Sequence, residues 1–411
     1  MRFIPAATTG VVLGVLLLGG CGDATSAGGA VPSDLSTYLD HLALKGQLTG
    51  SVLVARRGTT LVDRGFGLAD VATDAPNRPD TQFRIGSNTK QFAALAIRLL
   101  AHEGKLAVGD PICAHLDPCP PAWAPITIQQ LIDHSSGLPD YTNFPDFPQL
   151  IGTPATVEQL IARFQDLPLE FVPGTQWRYS NSGYVVLSEI IARASGQSFS
   201  DFCQARIWGP LHMARTLYDL NNPPKPSHAT GYLSPGVEPV YIDMSEVDAA
   251  GAVASTVVDL ALWDAALLDE SLLPASDMAE LFRPKIACPS GGCALPTDLG
   301  YADGWFVAQE NGARYVYPLG PDRRIPLVER LLPRAGHRGD RPQQPGDGGC
   351  LGARQPAGSD GALPVVPRLA SAQPPFFDGN FSRSARNTFA GTSSETSPPS
   401  DATSRTSCDE M

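Results

Sequence analysis

Two short groups of residues in this chain have the types and spacing that acyl transfer needs. Ser87-Asn88-Thr89-Lys90 sets a hydroxyl and an amine three positions apart. On a helix, residues i and i+3 share a face, so the amine of Lys90 can reach the hydroxyl of Ser87. A free lysine, with a pKa of about 10.4, is a poor base at neutral pH. Desolvation at the start of a buried helix lowers that value, and the positive end of the helix lowers it further. The same potential favours an anionic oxygen at Ser87. Together these features describe an activated nucleophile and its base. The spacing by itself is weak, since average composition yields about one such tetrad in a chain of this length. The second group is Tyr179-Ser180-Asn181, inside the stretch Pro173 to Tyr184 (PGTQWRYSNSGY). Residues two apart in an extended loop point the same way. A phenol that relays a proton and a carboxamide that orients a substrate amide can then face one pocket. Taken alone, Y-x-N reads as ordinary turn chemistry.

Several elements must position these groups. Thr49 to Arg56 (TGSVLVAR) and Thr60 to Phe66 (TLVDRGF) flank a turn at Gly58 and read as a hairpin. Phe83 to Gly86 leads into Ser87, and an apolar helical pattern runs from there to Glu103, with Gly104 as its stop. Helices are also expected over Ile126–His134, Val157–Phe164, Tyr184–Ala194 and Val258–Leu268. Trp305 to Gln309, Asn311-Gly312 and Ala313 to Tyr317 make a second hairpin, because Asn-Gly suits a two-residue turn. Strands at both ends with helices between them predict an α+β fold whose sheet joins distant parts of the chain.

Arg2, the apolar run Val11 to Leu18 and the small residues Gly19-Gly20 read as a secretory signal over residues 1–20. Leu18-Gly19-Gly20-Cys21 resembles a bacterial lipobox, which would make Cys21 a lipid attachment point. Residues 21–34 would then be a lipidated N-terminus and linker, anchored to the membrane and exposed in the cell envelope. Export permits disulfides, and Cys113/Cys119 and Cys288/Cys293 are two candidate local pairs, with free thiols as the alternative. No His lies at ligand spacing from either pair, so no metal is expected, and nothing calls for a cofactor. A formal charge of −12 argues against nucleic acid as a partner.

The two groups come in order with FRIGSNTKQFAALAIRLLAHEGKL, TIQQLIDHSSGLPDY, PGTQWRYSNSGYVVLSEIIARASGQSF, GAVASTVVDLALW and LGYADGWF. From about Val52 to Tyr317 the chain resembles the group of class C β-lactamases, D-alanyl-D-alanine carboxypeptidases and related esterases. The resemblance implies a β-lactamase/transpeptidase-like fold, an antiparallel sheet flanked by helices with a mostly helical subdomain, over residues 35–317. It implies Ser87 as acyl-enzyme nucleophile, Lys90 as its proton acceptor, and Tyr179 and Asn181 as the second catalytic element, with Asn181 binding substrate. It also implies an oxyanion hole that uses the Ser87 N–H, and a small-molecule or peptidoglycan-derived substrate. His134 beside Ser135 and Ser136 is not read as a Ser–His pair, since adjacent residues do not easily present that geometry, and the family uses this loop structurally.

The family's third element, His-x-Gly or Lys-x-Gly, should follow the second hairpin, where this chain has Pro318-Leu319-Gly320. Residues 318–411 hold 13 prolines in 94 positions against 25 in the preceding 317, no lysine, and 11 arginines. Periodicity vanishes there, and residues 318–411 are expected to be an aberrant, largely disordered tail arising from a reading-frame error. Synonymous codons exist for Pro318 to Pro345 that, read one base later, give HSGRIDGFPSWNVYYPEQGIAVIVLSN. The expected consequence is a sheet that lacks its C-terminal strands. The later triplet His337-Arg338-Gly339 is read as coincidence.

Overall fold

Burial and backbone pairing set both candidate groups at the starts of buried helices. The computed structural model describes residues 11–18, 33–56, 58–219, 228–232, 237–269, 271–287, 298–310, 313–318 and 330–331. The chain divides into two units, Met1–Arg338 and Gly339–Met411, and all described residues belong to the first. Cys21, Cys288, Cys293 and His337-Arg338-Gly339 lie outside the described residues, as does nearly all of the expected tail.

The strands, in chain order, are β1 (Val11–Leu18), β2 (Thr49–Arg56), β3 (Thr59–Phe66), β4 (Leu68–Asp70), β5 (Ala75–Pro76), β6 (Phe83–Arg84), β7 (Leu217–Tyr218), β8 (Val253–Ser255), β9 (Asp298–Tyr301), β10 (Phe306–Glu310), β11 (Ala313–Tyr317) and β12 (Arg330–Leu331). The helices are α1 (Ser33–Leu44), α2 (Lys90–His102), α3 (Ile128–Ile132), α4 (Phe147–Leu150), α5 (Val157–Ala162), α6 (Asn181–Ser195), α7 (Phe199–Cys203), α8 (Val257–Asp269) and α9 (Ala275–Leu281). Both expected hairpins form: β2 with β3, and β10 with β11, each antiparallel.

The main sheet has seven strands in the order β3-β2-β1-β12-β11-β10-β9. It is antiparallel except at β1, which runs parallel to β2 over eight paired positions and to β12 at Leu17↔Arg330. The α+β expectation of an antiparallel sheet flanked by helices holds, and the parallel pairing is confined to β1. Parallel neighbours need a long crossover, and α1 lies in the chain between β1 and β2. The run expected to be a leader is thus a strand here, and β1 and the two-residue β12 hold the two sheet positions between β2 and β11. A separate three-stranded sheet, β6-β8-β7, leads through β6 toward Ser87.

Helix α2 lies in the main hydrophobic core. Phe92, Ala93, Ala94, Leu95, Ala96, Ile97 and Leu100 are all fully buried, and each large apolar side chain so placed contributes about 2 kcal/mol. Phe92 packs on Trp208 and Trp263, and α6 lies alongside through buried Tyr184, Val185, Val186, Leu187 and Ile190. Thr127 caps α3 by accepting the Gln130 N–H, while the Gln130 side chain accepts the Thr127 N–H. Cys113 and Cys119 form a disulfide, with Cα atoms 5.3 Å apart, so this candidate pair closes. Among the described residues no helix is long and apolar enough to cross a membrane.

Candidate active site

The chain enters the site on β6, turns at Gly86 with a positive φ of 51°, and winds one 3₁₀ turn, Gly86–Thr89, before α2 begins at Lys90. The helix expected from Ser87 onward therefore opens as a tighter turn, which is common at helix N-termini. Its place is fixed from two sides. Ile85 N–H donates to the Val253 carbonyl, and Thr89 Oγ1 accepts the Val253 N–H. On the opposite side Gly304, at φ +84°, lets its turn lie against the start of α2, where a Cβ would sit 2.9 Å from Gln91 Cα.

Ser87 is 6% exposed and Lys90 1%. Lys90 Nζ is 3.2 Å from Ser87 Oγ, 2.8 Å from Asn181 Oδ1 and 2.7 Å from the Ala250 carbonyl oxygen. Burial drives the Lys90 pKa down from its ordinary value to about 7, and the Asp140 carboxylate opposes that fall. A neutral amine has two hydrogens and one lone pair. With its hydrogens given to Asn181 and Ala250, the lone pair faces the Ser87 hydroxyl, which is the geometry of a base. The rings of Tyr179 and Tyr184, 4.8 and 5.3 Å from Nζ, shelter the ammonium form once a proton arrives.

Tyr179 Oη donates to Ser87 Oγ at 2.6 Å. Burial pushes this phenol above its usual range, so it stays protonated and acts as a donor. Ser180 is extended, and Asn181 is the first residue of α6. The pair Tyr179/Asn181 was expected in an extended loop; it sits instead where a loop becomes a helix. The helix start aims Asn181 at Lys90, while Tyr179, one residue before the cap, reaches Ser87. Ser87, Tyr179 and Asn181 therefore all meet at the Lys90 amine.

Three further groups complete the arrangement and were not singled out from the sequence. Asp140 and Thr142 accept from Asn181 Nδ2, which turns its Oδ1 toward Lys90. Asp140 lies in the quoted stretch TIQQLIDHSSGLPDY, but its role depends on contact with a residue 41 positions away. The Ala250 carbonyl is backbone and leaves no signature in residue type. Among the described residues no group of three or more His, Cys, Asp or Glu could hold a metal ion.

The beta-lactamase family profile matches residues 39–353, ending past the composition break at residue 317. Among curated proteins the chain is 31% identical over 268 residues to penicillin-binding protein 4* of Bacillus subtilis (strain 168), covering 61% of this chain and 59% of that protein. The chain spans less than two thirds of the length of the curated relatives it matches first. Among solved structures it is similar to the octameric penicillin-binding protein homologue from Pyrococcus abyssi, with TM-score 0.60, 27% identity, and 69% of this chain and 67% of that one covered. It is also similar to the D-amino acid amidase from Ochrobactrum anthropi SV3 complexed with D-phenylalanine, with TM-score 0.57, 25% identity, and coverage of 71% and 88%. With more than half of its length matched, the chain belongs to the beta-lactamase family.

Proposed function

We propose that this protein is an exported serine hydrolase that forms an acyl-enzyme on Ser87, with D-alanyl peptides, β-lactams or small esters as its substrate class. One observation carries the reading: Ser87 Oγ lies between the amine of Lys90 at 3.2 Å and the phenol of Tyr179 at 2.6 Å. Lys90 takes the hydroxyl proton as Oγ attacks the substrate carbonyl. Asn181 Nδ2 is held by Asp140 and Thr142, so its carboxamide is fixed for both Lys90 and an incoming amide. Tyr179 passes a proton to the departing group and is reprotonated by the Lys90 ammonium, so the proton taken from Ser87 leaves with that group; water then cleaves the acyl–Oγ bond, one of its protons returning to Ser87 Oγ. The D-amino acid amidase relative supports an acyl group of D configuration. The Cys113–Cys119 disulfide supports an oxidising compartment, and lipid on Cys21 would hold the protein at the envelope surface.

The test is covalent labelling with a fluorescent penicillin and a fluorophosphonate, followed by mass spectrometry of the labelled peptide. Label is expected on Ser87 and nowhere else, and Ser87→Ala should abolish it. Lys90→Ala should slow acylation by on the order of a thousandfold. Label on another serine would sink the assignment. Turnover of nitrocefin, a D-Ala-D-Ala peptide and a nitrophenyl ester then ranks the substrates, and a palmitate analogue should mark the wild type but not Cys21→Ala. A second reading, a catalytically impaired lipoprotein that keeps the fold, is favoured by Pro318-Leu319-Gly320 at the place of the third element. Absence of label on a folded chain supports that one.

A further inference from the structure

His134 performs no step in the proposed reaction, yet its geometry is unlike that of a core residue. It is 1% exposed and has a positive φ of 62°, a conformation that few side chains tolerate. Its carbonyl accepts the Arg178 N–H at 2.9 Å, and its ring Nδ1 accepts the Ser180 N–H at 3.2 Å. Those two N–H groups flank Tyr179. The imidazole ring also lies against the Tyr179 ring, with centroids 4.4 Å apart. With Nδ1 accepting, the ring proton is assigned to Nε2, and Nε2 has no hydrogen-bond partner among the described residues. Tyr184 and Tyr301 enclose the ring at 5.2 and 4.8 Å, and Trp177 meets it edge-on at 6.1 Å. A strained backbone and an unpaired ring N–H both cost stability. A residue that only filled space here would be better as a phenylalanine. What imidazole adds is a buried acceptor.

We propose that His134 is a positioning residue that holds Tyr179 against Ser87, by pinning the backbone on both sides of Tyr179 and backing its ring. The proposal rests on the catalytic reading of Ser87 and Tyr179 given above. It requires a neutral imidazole, because a protonated Nδ1 would face the Ser180 N–H donor to donor. Burial and the nearby charge of Lys90 both push the His134 pKa well below its usual range, which fits that requirement.

The experiment uses the full chain, His134→Phe, His134→Asn, and each with Tyr179→Phe. Phenylalanine keeps the ring and removes the acceptor. Asparagine tolerates a positive φ and can present its oxygen near the place of Nδ1. The rate of Ser87 labelling should fall about tenfold or more in His134→Phe and largely recover in His134→Asn. In the Tyr179→Phe background the His134→Phe change should cost little, because the two act through one contact. Equal losses in both backgrounds would mean a general structural role and overturn the proposal. A second arm does not depend on labelling. Nitrogen NMR of histidine-labelled protein, with the signal assigned by its loss in His134→Asn, should show an unprotonated Nδ1 that does not titrate near pH 6.5. Hydrogen exchange at the Ser180 amide should accelerate in His134→Phe. If the wild type fails to label, the catalytic reading fails, while the NMR and exchange results still decide whether His134 holds this backbone. A freely titrating ring or an unchanged Ser180 amide overturns it.

Discussion

Lys90 carries the sharpest chemical consequence at the scale of single residues. Its pKa is brought down to about 7 by burial, so in the proposed reaction the amine acts as base only when deprotonated. The sign follows directly: acylation should be flat above about pH 8 and fall roughly tenfold per pH unit well below pH 7. A pH profile of the Ser87 labelling rate checks this, and a limb centred near pH 10 would show an ordinary, solvated lysine. Asp140 raises the Lys90 pKa through its charge, so Asp140→Asn should move the same limb to lower pH. Tyr179→Phe should be milder than Lys90→Ala, because the buried phenol is a donor and not the base. Ser87, Lys90, Tyr179 and Asn181 were legible in the sequence through the family resemblance, since S-x-x-K alone is weak and Y-x-N alone reads as turn chemistry. Asp140, the Ala250 carbonyl and His134 were not. One is an unremarkable carboxylate, one is backbone, and one was set aside as structural; only closure of the chain brings them to the site.

Elements hold these groups in place through partners that local pattern does not reveal. Glu246 is fully buried at the end of a short 3₁₀ turn, Met244–Glu246, and accepts two hydrogen bonds of 2.7 Å from Arg163, 83 residues away, just past α5. The next turn, Asp248–Ala250, ends in the carbonyl that receives Lys90. Removing one partner of a buried pair leaves the other charge uncompensated. Arg163→Met should therefore cost about 3 kcal/mol, the lower end of the usual range, because the Arg163 side chain is 19% exposed. Urea unfolding measures the loss, and a change below about 0.5 kcal/mol would mean that water replaces the arginine. Hairpins and long helices were readable from the sequence because their signals are local: β10–β11 at Asn311-Gly312, and α6 ending at Gly196 in the left-handed conformation. The start of α6 was not. Ser180 and Asn181 are as common in turns as at helix starts, and the packing of α6 on α2 decides between them.

The sheet joins the N-terminal and C-terminal halves of the molecule, and its junction is thin. β2 and β3 pair at seven register positions, whereas β12 meets β11 at two and β1 at one. The two positions between β2 and β11 are held by the run expected to leave as a leader and by a strand of two residues. Cleavage before Cys21 would remove β1, and the mature sheet would then need other strands in that gap. A reading-frame error after Tyr317, as expected from the sequence, would allow such strands, because synonymous codons for Pro318 to Pro345 can be chosen that encode them one base later. HSGRIDGFPSWNVYYPEQGIAVIVLSN places His-Ser-Gly directly after β11 and follows it with two alternating apolar segments separated by a glycine turn. Two antiparallel strands there would pair β11 to β2 without β1 and would cover edges that otherwise invite aggregation. Resequencing across the codons for Tyr317 and Pro318 is therefore expected to find a base out of register. The restored protein should melt higher, resist proteolysis near residue 317, and label faster at Ser87 than the present chain. The present chain should lose its segment after about residue 317 to limited protease. A confirmed present frame, together with a protease-resistant protein that turns over substrate, would show that β1 and β12 are its proper strands and that residues 318–411 are genuine.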